Sequence, residues 1–343
     1  MHKFITLTDY LTSENRKKVF PFLFDYHYLR NPILVSSFSQ VEDFKSADFA
    51  IFPLDIGYFF ETKQEAVLFE FIKNAKAFKI PVCVYSAGDF GITLPQDIVT
   101  FRMGGFKSNL NKNTFILPSF LNDPIADFFE NNWKAKPKST LPTVGFVGHA
   151  SGTISKYLKE YLIYFRHTMR RKFGYEFSDK QSFFPSSIKR YKILKKLEKN
   201  KKIATDFIFR KKYRAGATTQ EQREVSTLEF FENINRNLYT FCLRGSGNFS
   251  VRFYETLLMG RIPVLVDTDC RLPLEEIIDW KNHCVFATAI KMESALLDFH
   301  HSKSEEDLAT IQKANRKLAL EQLNRICYFI RVFENLLVDK NTG

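Results

Sequence analysis

The stretch LYTFCLRGSGNFSVRFYETLLMGRIPVLVDTD, residues 238–269, carries the signals that set the fold. Residues 238–244 are apolar and aromatic and read as a strand. Gly245 to Phe249 make a glycine-bearing loop, Ser250 stands where a helix N-cap is expected, and 251–259 has helical spacing. Gly260 is a helix-ending residue, and 261–269 is a second strand with Pro263 near its start. A strand, loop, helix and strand in that order make a parallel pair with its crossover. Glycines let the backbone approach a ligand, and the open amides of the helix start form an anion site. Arg252 and Glu255 add a cation and a carboxylate within the first turn.

Similar alternation extends outward from this unit. Toward the N-terminus, 31–38, 47–55, 79–89, 97–103 and 114–120 read as strands, and 61–78 reads as a helix between two of them. The polar stretch ENNWKAKPKSTLP (130–142) reads as a domain boundary. Beyond it, 143–152, 203–209 and 282–288 are further strands, 221–237 is a helix, and 305–338 is one long amphipathic helical pattern. The expectation is α/β: two Rossmann-like doubly wound domains facing a central cleft. The first spans 1–138, completed by a C-terminal helix at 318–343, and the second spans 139–317.

Bulk properties narrow the class. The chain has 343 residues, 45% of them hydrophobic, with 37 phenylalanines, enough for two packed cores. Cys83, Cys242, Cys270, Cys284 and Cys327 have no paired spacing, which excludes a disulfide framework and a zinc pattern. No run reaches the ~18 apolar residues of a membrane span, and the opening MHKFITLTDYL lacks a secretory core. A cytoplasmic protein is expected.

The net charge of +12 is local. Residues 156–214 hold 19 lysines and arginines against 5 acidic residues, so the rest of the chain sums to −2. Within it, SSIKRYKILKKLEKNKK (186–202) places Ile188, Tyr191, Leu194 and Leu197 on one helical face with lysines around the remainder. It reads either as a solvated face or as a surface drawn to an anionic membrane or a phosphorylated ligand. No nucleic-acid-binding motif accompanies it.

Three readings of 244–269 compete. A dinucleotide-binding fingerprint matches Gly245, Gly247 and Asp267 but meets Ser250 in place of the third glycine. Asp267-Thr268-Asp269 reads either as a divalent-metal pair or as a polar turn ending a strand. The third reading places a nucleotide diphosphate on the helix amides and Arg252, with Glu255 accepting from the ribose hydroxyls. Against it stands a surface Arg–Glu pair at i,i+3 spacing, made less apt by Phe253, Tyr254 and Leu257 around it.

At these residues the sequence resembles the exostosin-type glycosyltransferases. The matching positions are Phe241, Cys242, Leu243, Gly247, Ser250, Arg252, Glu255, Gly260, Ile262, Pro263, Val264 and Asp267. ADFAIFPL (47–54) and VGFVGHAS (144–151) resemble weaker landmarks of the family. Arg244 departs from a frequent Pro and Arg261 from a common Cys, and the membrane anchor of the animal enzymes is not seen. The resemblance therefore implies a cytoplasmic, bacterial-type relative, at most peripheral to the inner face of the membrane, that builds surface polysaccharide.

What the resemblance implies further is a GT-B fold, an inverting mechanism and no metal or other cofactor. The donor would be a nucleotide sugar, typically a UDP-sugar, and the acceptor a glycan or lipid-linked glycan. Donor binding would fall to Arg244, Ser246, Gly247, Asn248, Ser250, Arg252 and Glu255, with Lys211 as a helper. Arg252 would also act in catalysis by neutralising the leaving group. The base that inversion needs would be Asp55, preferred over Asp89 and His149. An NAD(P)-dependent oxidoreductase and a non-catalytic nucleotide-sugar-binding domain are the alternatives.

Overall fold

A computed structural model describes residues 1–95, 97–211 and 216–342, with side chains as far as residue 337. The chain opens with β1 (His2–Ile5), the helical turn α1 (Pro21–Leu23), α2 (Pro32–Ser37) and β2 (Phe38–Gln40). β3 (Phe49–Asp55) leads through α3 (Ile56–Glu61) and α4 (Glu65–Ala77) to β4 (Val82–Ser86), β5 (Val99–Arg102) and β6 (Thr114–Ile116). After α5 (Pro124–Phe128) come β7 (Thr143–His149), α6 (Ile154–Lys172), α7 (Ser186–Lys199), β8 (Ala204–Arg210) and α8 (Gln220–Arg236). Next are β9 (Tyr239–Cys242), α9 (Val251–Leu258), β10 (Ile262–Val266) and β11 (Val285–Ala287). Three helices close the order: α10 (Met292–Ser302), α11 (Glu305–Glu321) and α12 (Arg325–Thr342).

The strands form two sheets, in the orders β2-β1-β3-β4-β5-β6 and β11-β10-β9-β7-β8. Their ladders are parallel throughout. Internal strands such as β3 and β10 are buried along almost their whole length, as continuous apolar runs require when helices cover both faces. This is a two-sheet α/β plan. In each sheet the strand order reverses beside the first strand, at β1/β3 and at β7/β9. Such switch points open a crevice at the carboxyl ends of the strands, where ligands of open α/β sheets bind.

Two compact units divide the chain. One comprises Met1–Pro118, Met169–Gln181 and the segment from Leu323 onward; the other comprises Ser119–Thr168 and Ser182–Gln322. Residues 119–138 thus go with the second unit rather than the first. Trp133 explains why: its Nε1 donates to the Met259 carbonyl at 3.0 Å, and the Lys136 amide donates to Gln312 Oε1 at 2.8 Å while its carbonyl accepts from Gln312 Nε2 at 2.9 Å. The polar linker is strapped down. At the other end, α12 joins the first unit. Tyr328 donates to the Ile116 carbonyl at 2.8 Å, Arg325 pairs with the buried Asp25, and Phe329 and Phe333 enter the ring cluster of Phe20, Phe22 and Phe101.

Local chemistry overrode the sequence reading in two places. Residues 31–38 form a helix, because Asn31 caps the amides of Ile33 and Leu34 and Pro32 takes the first helical position; only Phe38 begins a strand. The pattern over 305–338 is two helices, interrupted after Glu321 and resumed at Arg325, so the helix assigned to 318–343 starts later. Helix α7 keeps the amphipathic face read from its spacing: Ile188, Leu194 and Leu197 are buried in the second core with Tyr191 against it, and Lys189, Lys192, Lys196, Glu198 and Lys199 are exposed.

Candidate functional site

The second sheet's switch point is built by the carboxyl end of β7 and the loop between β9 and α9. Gly148 of β7 has no room for a side chain: a Cβ there would stand 2.8 Å from Arg252 Nη2. Arg252 rises from the first turn of α9 and donates to the Val147 carbonyl at 2.7 Å. Its guanidinium lies over the Phe146 ring at 4.5 Å. Ser250 precedes α9 in extended conformation and makes no side-chain capping bond; its carbonyl takes the Phe253 amide at 3.1 Å, and no side chain caps the amides before it. Phe253, Tyr254, Leu257 and Leu258 are buried and hold the helix in place, and Gly260 ends it at φ +59°.

Three more arginines meet at this corner. Arg190 of α7 donates to the His149 carbonyl at 2.7 Å and to the Arg244 carbonyl at 3.2 Å. Arg244 is buried, bonded to the Ser246 carbonyl, and lies 4.6 Å over the Phe184 ring. Arg210, at the end of β8, donates to the Ser226 carbonyl at 2.7 Å and pairs with Glu229. Burial pushes the Arg190 guanidinium down to about 10, with the neighbouring Arg252 charge adding to the effect. Burial likewise lowers Arg252, only partly offset by Cys242 and Glu255.

The hydrogen-bond accounting at this corner does not close. The Nε atoms of Arg190, Arg210 and Arg252 are buried without a partner among the described residues. So is His149 Nε2. Since His149 Nδ1 faces the Arg210 carbonyl at 3.0 Å, Nδ1 carries the proton and Nε2 presents a lone pair. Orphaned buried donors are costly unless a ligand fills them. Three guanidinium groups short of acceptors have the charge and donors to suit a multiply charged anion.

The remaining candidates sort themselves by environment. Glu255 is half-buried on α9, close enough for its charge to raise the basicity of Arg252. Ser246 is exposed at the loop tip and Gly247 is buried. Asn248 is spent on structure: its amide donates to the Thr268 and Asp269 carbonyls at 3.0 and 3.1 Å and accepts from Thr268 Oγ1 at 2.7 Å. It positions the loop. Lys211 is exposed just past β8, where Arg210 has taken the inward direction. Asp267 accepts from the Asp269 amide at 2.8 Å, with Asp269 at φ +59°, which is the polar turn. Beside the loop lies a shallow pocket lined by Arg244, Phe249, Ser250, Tyr254, Val266 and Arg271 among others.

In the first unit, Asp55 ends β3 at the other switch point. Its Oδ1 accepts from the Ala87 amide at 2.8 Å and the Gly57 amide at 3.2 Å, so it caps α3. Burial raises its pKa against those bonds. Asp89 is exposed in the turn after β4.

The sequence reading missed Arg190 and Arg210. Arg190 had a signal: it is the one arginine in the lysine-rich run 186–202. An arginine tolerates burial and forks to carbonyls where a lysine would seek water. Arg210 had none beyond its place at a strand's end. Arg261, the departure from Cys, is structural: buried, it donates to the Asn235, Lys134 and Gly260 carbonyls.

A family model, the Exostosin GT47 domain, matches residues 95–298. No curated protein matches the chain. Among solved structures the chain is similar to TarM, at 12% identity and TM-score 0.35, covering 92% of this chain and 58% of that one. A TarM variant from S. aureus in complex with fondaparinux, α-GlcNAc-glycerol and UDP gives 11%, TM-score 0.34, and coverage of 92% and 58%. The GtfA/B complex gives 10%, TM-score 0.38, and coverage of 92% and 60%. The chain spans about three-fifths of the length of these proteins.

Proposed function

The chain belongs to the exostosin GT47 family and is a glycosyltransferase, and from that premise we propose that its second unit holds the diphosphate of a nucleotide-sugar donor. The proposed donor is a UDP-sugar and the proposed acceptor a glycan hydroxyl in surface polysaccharide. The observation that carries the donor site is the set of unpartnered guanidinium Nε atoms at the β7/β9 switch point.

In the proposed inverting step, the acceptor oxygen attacks the anomeric carbon as the bond from that carbon to the diphosphate oxygen breaks. The electron pair leaves on the diphosphate, and the acceptor proton passes to a base. Charge on the leaving oxygen grows through the transition state, so Arg190, Arg252 and the uncapped amides of α9 stabilise it more than they stabilise the bound donor. Glu255, on the same helix, accepts from the ribose hydroxyls. With this much positive charge in place, no metal is needed to carry the diphosphate away.

Asp55 is the proposed base. Burial makes its carboxylate more basic than a solvated one, and its two recorded bonds fall on Oδ1. A specific observation favours a second reading: the Arg210 carbonyl holds His149 Nδ1 at 3.0 Å, which leaves the buried, unpartnered Nε2 as the atom that could accept a proton.

Calorimetry with UDP, NADH and inorganic diphosphate tests the donor site. UDP binding that weakens in Arg190→Gln supports it. Binding of NADH in place of UDP would return the oxidoreductase, and UDP binding without turnover on any glycan panel would leave a recognition domain.

A further inference from the structure

Helix α6 is mounted with its apolar stripe toward solvent. Ile154, Leu158, Leu162 and Phe165 recur at helical spacing on one face, and they are 78%, 54%, 64% and 49% exposed. None of the helix's residues is buried. The packed side carries tyrosines and polar groups rather than the aliphatic residues: Tyr157 and Tyr161 rest on the Phe183 ring at 5.5 and 5.4 Å. Glu160 accepts from Ser187 Oγ at 2.5 Å, Lys156 lies 3.6 Å from the same carboxylate, and Tyr164 rests on the Phe183 ring at 5.4 Å. A helix that served only packing would be turned the other way.

Charge on the exposed side is of one sign. Lys159 and Arg166 flank the apolar stripe and are exposed, whereas Glu160, the only carboxylate in α6, faces inward. We propose that α6 lies in the plane of an anionic lipid surface, its aliphatic side chains and Phe165 among the acyl chains and its cations among the headgroup phosphates. The lysine-rich α7 does not supply this contact, because its apolar residues are already in the core. Among the described residues no helix is long and apolar enough to cross a membrane, so the contact is one of lying on the surface. A second copy of the chain is the poorer occupant: a symmetric α6 contact would set Lys159 and Arg166 against their own kind with no carboxylate to pair them.

Co-sedimentation of the full chain with vesicles tests the proposal. Vesicles of phosphatidylcholine mixed with phosphatidylglycerol should bind it, and phosphatidylcholine alone should bind at least about tenfold more weakly. Leu162→Ser with Phe165→Ser should abolish binding at unchanged melting temperature, since both side chains are exposed. Lys159→Glu with Arg166→Glu should weaken it, whereas Lys192→Glu with Lys199→Glu on α7 should retain it. No binding to the mixed vesicles, or equal binding by the serine variant, overturns the proposal. So does a lipid-free dimer, seen by light scattering, that the serine variant dissociates.

Discussion

Arg252 sits in the space that Gly148 leaves empty: the Nη2 that donates to Val147 is 2.8 Å from where a Gly148 side chain would begin. A methyl group at 148 must therefore move the guanidinium. Because the obstructed atom is the far end of a flexible side chain, the move costs little stability, on the order of 1 kcal/mol or less. Gly148→Ala is expected to keep its melting temperature within a few degrees and to lose about tenfold in donor affinity by calorimetry. Unchanged affinity would mean that Arg252 does not touch the donor.

Glu255→Gln keeps the shape of the helix and removes the negative acceptor. Donor affinity should fall by roughly tenfold to hundredfold, the worth of one charge-assisted hydrogen bond. Arg252→Ala should lower turnover as well as affinity, since leaving-group charge grows in the transition state. If the two residues were only a structural pair, both variants would melt earlier while kcat and KM per folded molecule stayed as they were.

Arg190 gives the site a pH signature. Burial and the Arg252 charge bring its pKa down to about 10, so it is charged at neutral pH and loses its proton well below an ordinary arginine. A bound diphosphate favours the charged form, so binding takes up a proton as the pH nears that value. UDP affinity should decline as pH rises toward about 10 in the native chain, and this limb should be missing in Arg190→Gln. Melting temperatures at each pH separate it from unfolding.

The base is decided by two variants. Burial holds the Asp55 pKa above the usual carboxylate range, so ionising it costs folding free energy once the pH exceeds its folded pKa, and protonation removes that cost. Asp55→Asn keeps an Oδ1 acceptor for the Ala87 and Gly57 amides. It should be as stable as the native protein at neutral pH while turnover falls at least about hundredfold. The acid limb of kcat/KM should vanish with it. His149→Gln should change kcat far less; the reverse ranking would transfer the role to His149.

Turnover should survive a chelator. Three guanidinium groups and the amides of α9 supply the positive charge that a divalent ion would otherwise bring. Loss of activity in EDTA with recovery on manganese would overturn this account of the leaving group.

How much of this was legible in the sequence depended on whether a signal was local. The strand–loop–helix–strand unit at 238–269 was readable because each boundary has its own marker, down to Gly260. Residues 31–38 misled because their branched side chains argue for a strand while Asn31 and Pro32, two residues, start a helix. The strap at Trp133 was hidden in a polar stretch, because its meaning lies in Met259, far along the chain. The site divides the same way. Arg252 and Glu255 announce themselves by their place after a glycine loop, whereas Arg190 reaches the same corner only through the packing of Ile188, Leu194 and Leu197. Asn248 reads as a ligand contact from its loop, while its hold on the Thr268 and Asp269 carbonyls depends on residues about twenty positions away and has no local signal.

The rings of Phe329 and Phe333 complete a core whose other members, Phe20, Phe22 and Phe101, are made much earlier. On the ribosome, that first unit stays unfinished until the second has emerged in full. Its early aromatic residues wait in a partly open state in which aggregation competes with folding. A frameshift or stop before Tyr328 would therefore damage the opposite end of the polypeptide, leaving the second unit folded and the first without a floor.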